Sequence, residues 1–383
     1  MPCRGYFKNS EKKSWDEIYG REGQFDKLTQ HISKGRQLIA IKGVRRVGKS
    51  TFIWASLDRL ERLGKEVGLE IKTHVVKCDG TQTIDELRSE LYEILPFSEE
   101  STAMKLKEVT IGVENFIPSG TMTFTPDTRM AAVFRKMSES GIGTLYFIAL
   151  DEVQDFEERE KLMKFFNYVH SSVQNLFIIL SGSQVTTFQE FLDAAYNKLD
   201  SVHSKKYKGR IGGIHMTPFD MAQSVEFLTR GFRDNKALET DEQRKDIALQ
   251  IYRHVGGIPA WLVEAGCDIS EAYIEYGEIN KLLLDEILHE IEREAMTKIE
   301  SEIDTIAEMY GATIYDDIGR IMRGIPNYQI SRKKLLEYTG LEDKRFERAM
   351  EILTDYGYII EDETAKTVTI PDVIIWRFFH ERS

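Results

Sequence analysis

The 383-residue chain has three cysteines, eight prolines and no excess of positive charge. Cys3, Cys78 and Cys267 stand far apart and follow neither metal-site nor disulfide-framework spacing. The expectation is three reduced thiols in a cytoplasmic protein. No stretch approaches the roughly 18 apolar residues needed to cross a bilayer. The opening MPCRGYFKNSEKKSWDE lacks the apolar core of a secretory signal. No membrane partner is expected. Net charge is −12 and the isoelectric point about 5.4, so no overall basic field advertises a nucleic-acid partner. A local basic face remains open. No internal repeat or low-complexity segment stands out.

What is present suits a globular protein, with 42% hydrophobic and 30% charged residues. The length suggests two or three domains at roughly 100–200 residues each. Residues 1–16 are polar and are expected to be poorly ordered, with the folded chain starting near Trp15. Phe25, Leu28 and Ile32 recur at helical spacing. LIAIKG (38–43) reads as a buried strand, and STFIWASLDRLERLG (50–64) as a helix closed by Gly64. EIKTHVVKCDG (70–80) reads as a second strand. Thr83 and Glu86 form a capping box for the next helix. Residues 107–128 alternate apolar and polar around IPSG, which reads as a β-hairpin insertion. A helix over 128–140, the run TLYFIALDE (144–152), a helix over 158–173, the strand NLFIILSGSQ and a fifth strand in GGIHMTPFD follow. Apolar strands alternating with helices imply a parallel sheet covered on both faces. From Asp220 the strands stop and helices take over.

One segment carries chemistry. GVRRVGKS (43–50) matches G-x-x-x-x-G-K-[ST] between a strand and a helix. Gly43 and Gly48 let the backbone turn so that successive N–H groups face inward. With the positive end of the following helix they form an anion cradle. Lys49 is expected to hold the β- and γ-phosphates and Ser50 to ligate Mg²⁺. Arg45 and Arg46 project from the loop toward phosphate, a partner or solvent. Asp151 and Glu152 end an apolar strand, the position for a metal-organising acid and a water-polarising neighbour. Ser181 and Ser183 end the next strand, where a polar side chain could sense the γ-phosphate. Arg210, before the fifth strand, could neutralise charge on that phosphate, in its own subunit or a neighbour's. Guanine recognition is not expected, because NKAL at Asn235 lacks the required acid.

GVRRVGKST, FIALDEVQ, the SGS after the next strand, YKGR, TPFD and HVGGIPAWL together resemble the archaeal ATPases of the AAA+/STAND group of P-loop NTPases. The likeness runs from about Trp15 to Arg377. It implies an α/β P-loop NTPase fold with a sheet in the order 5-1-4-3-2, a helical lid and a C-terminal winged helix-turn-helix. The corresponding divisions are 1–220, 221–300 and 301–383. It implies an ATPase using ATP or ADP with Mg²⁺. Nucleotide contacts would come from Gly43, Val44, Arg45, Arg46, Val47, Gly48, Lys49, Ser50 and Thr51. Tyr19, Gly20 and Arg21 would sit beside the base and Pro259, in a G-x-P element, on its other side. Ser181 would be the sensor and Lys49, Glu152 and Arg210 the catalytic set. Ser50 and Asp151 would hold the metal.

In the last 83 residues, three helices followed by a two-stranded ribbon give the order of a winged helix. Arg332, Lys333, Lys334, Lys344, Arg345 and Arg348 could meet a phosphate backbone. Glu361, Asp362 and Glu363 at the wing oppose one. Double-stranded DNA, a protein partner and a second copy of the chain all stay open as partners. A slow nucleotide switch or a DNA-binding regulator with little turnover is the alternative to a steady ATPase.

Overall fold

The computed structural model describes residues 5–7, 12–78, 83–94, 143–153, 175–182, 211–362 and 364–381, with a few isolated positions between. The expected hairpin at 107–128, Ser183 and Arg210 lie outside the described residues. So do nearly all of the helices expected over 128–140 and 158–173.

Five strands, β1 (Leu38–Gly43), β2 (Glu70–Lys77), β3 (Thr144–Asp151), β4 (Leu176–Gly182) and β5 (Ile211–Met216), form one parallel sheet. Their order is β2-β3-β4-β1-β5, as the resemblance implied. Side chains alternate between the two faces. Ile39, Ile41, Phe147 and Ile179 enter a core shared with α1 (Glu22–Ser33) and α2 (Lys49–Glu66). Ala40, Ile148, Ile178 and Leu180 pack with Ile84, Leu87 and Leu91 of α3 (Ile84–Ile94). The capping box holds: Thr83 N–H donates to Glu86 at 2.8 Å, and Glu86 N–H to Thr83 Oγ1 at 3.2 Å. β2 forms where the second strand was expected. As an edge strand it exposes Glu70 and Lys77 and buries little besides Val76.

Gly64 has a different role from the expected cap. α2 continues to Glu66, and a Cβ at position 64 would lie 2.6 Å from Ile71 and 2.8 Å from the Leu69 carbonyl. Glycine is used here for close approach of helix and strand.

A second half follows: α4 (Met221–Asp234), α5 (Asp241–Val255), α6 (Pro259–Tyr276) and the long α7 (Lys281–Tyr310). Then come α8 (Ala312–Arg323), β6 (Gln329–Ser331), α9 (Arg332–Thr339) and α10 (Asp343–Asp355). β7 (Ile360–Asp362), β8 (Thr367–Thr369) and α11 (Val373–His380) close the chain. The expected two-stranded ribbon gains β6, giving an antiparallel sheet in the order β6-β8-β7. No described helix is long and apolar enough to cross a membrane.

The chain starts folding earlier than Trp15. Gly5–Phe7 forms a short 3₁₀ turn, and Phe7 is fully buried. Its ring lies 5.8 Å from Phe227 and 5.5 Å from Phe232. A Cβ on Gly231 of α4 or Gly266 of α6 would come within 2.5 Å of that ring, so two glycines open its slot. The thiols also differ from expectation. Cys78 is a buried thiol, whereas Cys267 is disulfide-bonded.

Candidate nucleotide site

The loop between β1 and α2 is shaped by its glycines and anchored by its valines. Gly48 takes φ +91°, which favours glycine, and a Cβ on Gly43 would lie 2.5 Å from the Met216 carbonyl. Val44 and Val47 are buried in the apolar core, which fixes the loop from beneath. Val47 also takes a buried tie from the N-terminal side: the Arg21 guanidinium donates to Val47 O at 2.8 Å and Thr217 O at 3.0 Å. Arg21 lies over the Phe219 ring. Burial lowers its pKa to about 10, so it stays cationic at neutral pH.

Lys49 begins α2 and is 4% exposed. Its Nζ donates to the carbonyls of Gly43 at 3.2 Å and Val44 at 3.3 Å, and lies 3.9 Å from Glu152 Oε1. Burial pushes its pKa down, while the Glu152 and Asp151 carboxylates pull it back up. Lys49 and Asp151 therefore share one site at the C-terminal ends of β1 and β3, the parallel strands on either side of β4. Ser50 and Thr51 are half-buried in the first turn of α2, whose N–H groups carry the helix's positive end.

Ser181 is fully buried at the end of β4. Its hydroxyl donates to Asp151 Oδ1 and accepts from the Glu152 N–H at 3.3 Å. Glu152 sits at φ +54°, a left-handed conformation that costs a glutamate about 1–3 kcal/mol unless it is held. The Ser181 hydroxyl supplies that hold and links the two acids. These residues fit a magnesium-bound nucleotide: a buried ammonium faces two carboxylates, with one acid oriented from behind. A magnesium ion would supply positive charge against the β- and γ-phosphate oxygens.

The remaining expected residues sit around this centre. The Tyr19 hydroxyl donates to Glu226 at 2.9 Å, and its ring packs against Phe219 and Phe227. Burial and the Glu226 carboxylate raise its pKa. Gly20, at φ +65°, lies over the Phe219 ring. Pro259 opens α6 just past Gly257, where a Cβ would lie 1.9 Å from Phe219 O. The Gly257 carbonyl in turn accepts from Phe219 N–H at 2.9 Å. The G-x-P element thereby clasps the TPFD segment. Whether Arg210 belongs to the site lies outside the described residues.

Sequence reasoning missed the groups that meet the loop from the far end of the chain. Glu302 of α7 pairs with Arg46 at 2.7 Å and Arg45 at 3.4 Å. Arg46 stacks over Trp261 and Arg45 over Tyr356. No local pattern marks these partners, which lie more than 200 residues from the loop in sequence.

A parallel sheet in the order β2-β3-β4-β1-β5, with a phosphate loop after β1 and an acid pair after β3, defines a P-loop NTPase. Residues 18–265 match the family described as an ATPase domain predominantly from Archaea. The chain belongs to that family, and its enzyme class is ATPase. Among solved structures it is similar to a Walker-type ATPase of Pyrococcus abyssi. The two share 24% identity over 98% of this chain and 99% of that one, with a TM-score of 0.66. Weaker likeness extends to the Thermotoga maritima RuvB Holliday junction branch migration motor, 14% identical over 96% of each chain, TM-score 0.43. The Aeropyrum pernix Orc1 protein in complex with DNA is 14% identical over 95% of this chain and 93% of that one, TM-score 0.42. At those scores neither bears on function. The comparison with curated proteins found no match.

Proposed function

We propose that this chain binds ATP with Mg²⁺ at the loop 43–50, hydrolyses it, and uses the bound nucleotide to set the position of its C-terminal segment. The observation that carries this reading is the buried Lys49 ammonium, 3.9 Å from Glu152 and beside Asp151. A buried cation at a helix N-terminus suits a polyphosphate, and the acids beside it suit a metal and a water molecule. In this reading the loop amides and Lys49 hold the phosphates, and Ser50 and Asp151 hold the metal. Glu152 orients the attacking water and accepts its proton. Ser181 acts through Asp151 and Glu152. Tyr19, Gly20 and Pro259 frame the base, and Arg21 stiffens the loop behind it.

Residues 1–220 act as the ATPase unit, 221–300 as a helical lid and 301–383 as a winged helix, with α7 shared by the last two. The expected location is the cytoplasm. Calorimetric titration with Mg²⁺-ATP, paired with phosphate release, tests the site. Lys49→Ala removes binding; Glu152→Gln keeps binding and loses turnover by about 10²–10⁴-fold. Full hydrolysis in the Glu152 variant would refute its assigned role.

A slow switch is the second reading, favoured by the ion pairs that join the loop to α7. Turnover that rises with DNA, a protein partner or protein concentration would support it. Double-stranded DNA has weaker support as the partner. Arg332 is tied to Glu347 and Glu361, Arg345 to Asp317, and Arg348 donates to the Tyr310 carbonyl. Exposed Lys333, Lys334 and Lys344 remain for phosphate contacts. A gel-shift series with no retardation even at low salt would remove DNA from consideration.

A further inference from the structure

The two arginines inside the phosphate loop already hold an anion, and it belongs to the protein. Glu302 Oε1 accepts from Arg46 at 2.7 Å and lies 3.4 Å from Arg45. Its other oxygen, Oε2, accepts from the Tyr358 hydroxyl at 2.9 Å. The Glu302 side chain is 18% exposed and Tyr358 is fully buried, so this carboxylate is mostly withdrawn from water. Backbone contact reinforces the grip. Gly357, at φ +71°, sits so close that a Cβ there would come within 3.0 Å of the Val44 Cα. The turn after α10 thus rests on the first residue past Gly43.

We propose that Glu302 is an internal phosphate mimic: it occupies the loop's arginine pair in the nucleotide-free protein and is displaced when nucleotide enters, which frees the α10–β7 turn. This rests on the reading that the loop binds nucleotide. A single carboxylate carries one negative charge, whereas a nucleotide polyphosphate carries several and accepts from more donors. The two anions compete for the same guanidinium groups. By linkage, a grip that nucleotide weakens must itself weaken nucleotide binding by the same factor. Affinity is therefore set partly by a side chain that does not touch the nucleotide, and the C-terminal turn reports on the loop.

Glu302→Gln keeps shape and hydrogen-bonding capacity and removes the charge. Tyr358→Phe removes the hydrogen bond that holds the carboxylate and leaves the loop untouched. Titration of the full chain with Mg²⁺-ADP is expected to show about tenfold tighter binding for Glu302→Gln, and a smaller tightening for Tyr358→Phe. Without nucleotide, Glu302→Gln is expected to melt below wild type, with the gap narrowing at saturating ADP. Unchanged or weaker affinity in a folded Glu302→Gln protein, with wild type binding normally, would overturn the latch and leave the nucleotide site standing. If Glu302→Gln does not fold, Tyr358→Phe decides by the same sign. If neither wild type nor either variant binds ADP, the nucleotide reading fails and the latch with it.

Discussion

The C-terminal end of the sheet, which carries the phosphate loop, and the helical half that follows it handle charge in opposite ways. Around the loop, the buried Lys49 ammonium meets its acid only at the outer limit of ion-pair distance. Lys49 spends its hydrogen bonds on backbone carbonyls, and its nearest carboxylate oxygen is 3.9 Å away. In the helical half, charged groups meet partners at hydrogen-bond distance. Arg377 donates to Glu292 at 3.1 Å and to the His254 carbonyl at 2.9 Å. The buried Asp372 accepts from Trp261 Nε1 at 3.0 Å and from Ile374 N–H at 2.8 Å, capping α11. A buried charge matched at hydrogen-bond distance is architecture; one whose opposite charge stands farther off leaves room for a ligand. Arg45 and Arg46 fall between, because their partner is supplied by the opposite region.

Four substitutions would break or sharpen that contrast. The largest effect is expected from Phe7→Ala, which empties the slot between α4 and α6. It should lower unfolding free energy by about 3–5 kcal/mol in chemical denaturation. A loss below about 1 kcal/mol would mean that the N-terminal turn contributes little. Asp372→Ala strips the α11 cap and leaves the Trp261 N–H without its acceptor. A cost of about 2–3 kcal/mol is expected, with nucleotide affinity changed far less than stability. Ser181→Ala acts on the other region. It frees Asp151 and the Glu152 backbone, and turnover should fall by roughly tenfold, equivalent to about 1.4 kcal/mol, while the melting temperature shifts little. A large stability loss with unchanged turnover would make Ser181 an architectural group like Asp372.

The smallest effect tests a charge on α6. Burial, with Glu264, Glu271 and Glu294 adding like charge, raises the Asp268 carboxyl from 3.8 to about 6. The folded state therefore holds this proton more tightly than the unfolded chain. Stability from this group is present below pH 4 and is lost as pH rises toward 6. Asp268→Asn should stabilise the protein at pH 7.5 by about 1 kcal/mol, a figure kept low because the side chain is partly solvated. The gain should shrink toward zero at pH 4. An equal gain at both values would point to packing instead of charge.

Much of the centre was legible without a structure. The glycine spacing, the apolar strands and the acids at the end of β3 are written within a few residues of one another, because backbone turns and strand burial are local demands. The N-terminal turn was not. Tyr6 and Phe7 stand isolated among polar residues, and their slot is formed by Gly231 and Gly266, far along the chain. Gly64 misled for the same reason: its position near a helix end suggested a cap, while its contacts are with Ile71 and Leu69. β6 escaped notice because three residues carry no period long enough to read.

From residues alone came a phosphate-binding strand–loop–helix, an acid pair at a strand end, and the change from alternating strands and helices to helices after Asp220. Each depends on spacing along the backbone, which short-range sterics and solvation dictate. Only the tertiary structure decided that Ser181 stands behind Asp151, that Arg21 braces Val47, and that Glu302 meets Arg45 and Arg46. Which charges find one another across hundreds of residues depends on how whole faces pack, and no local pattern carries that.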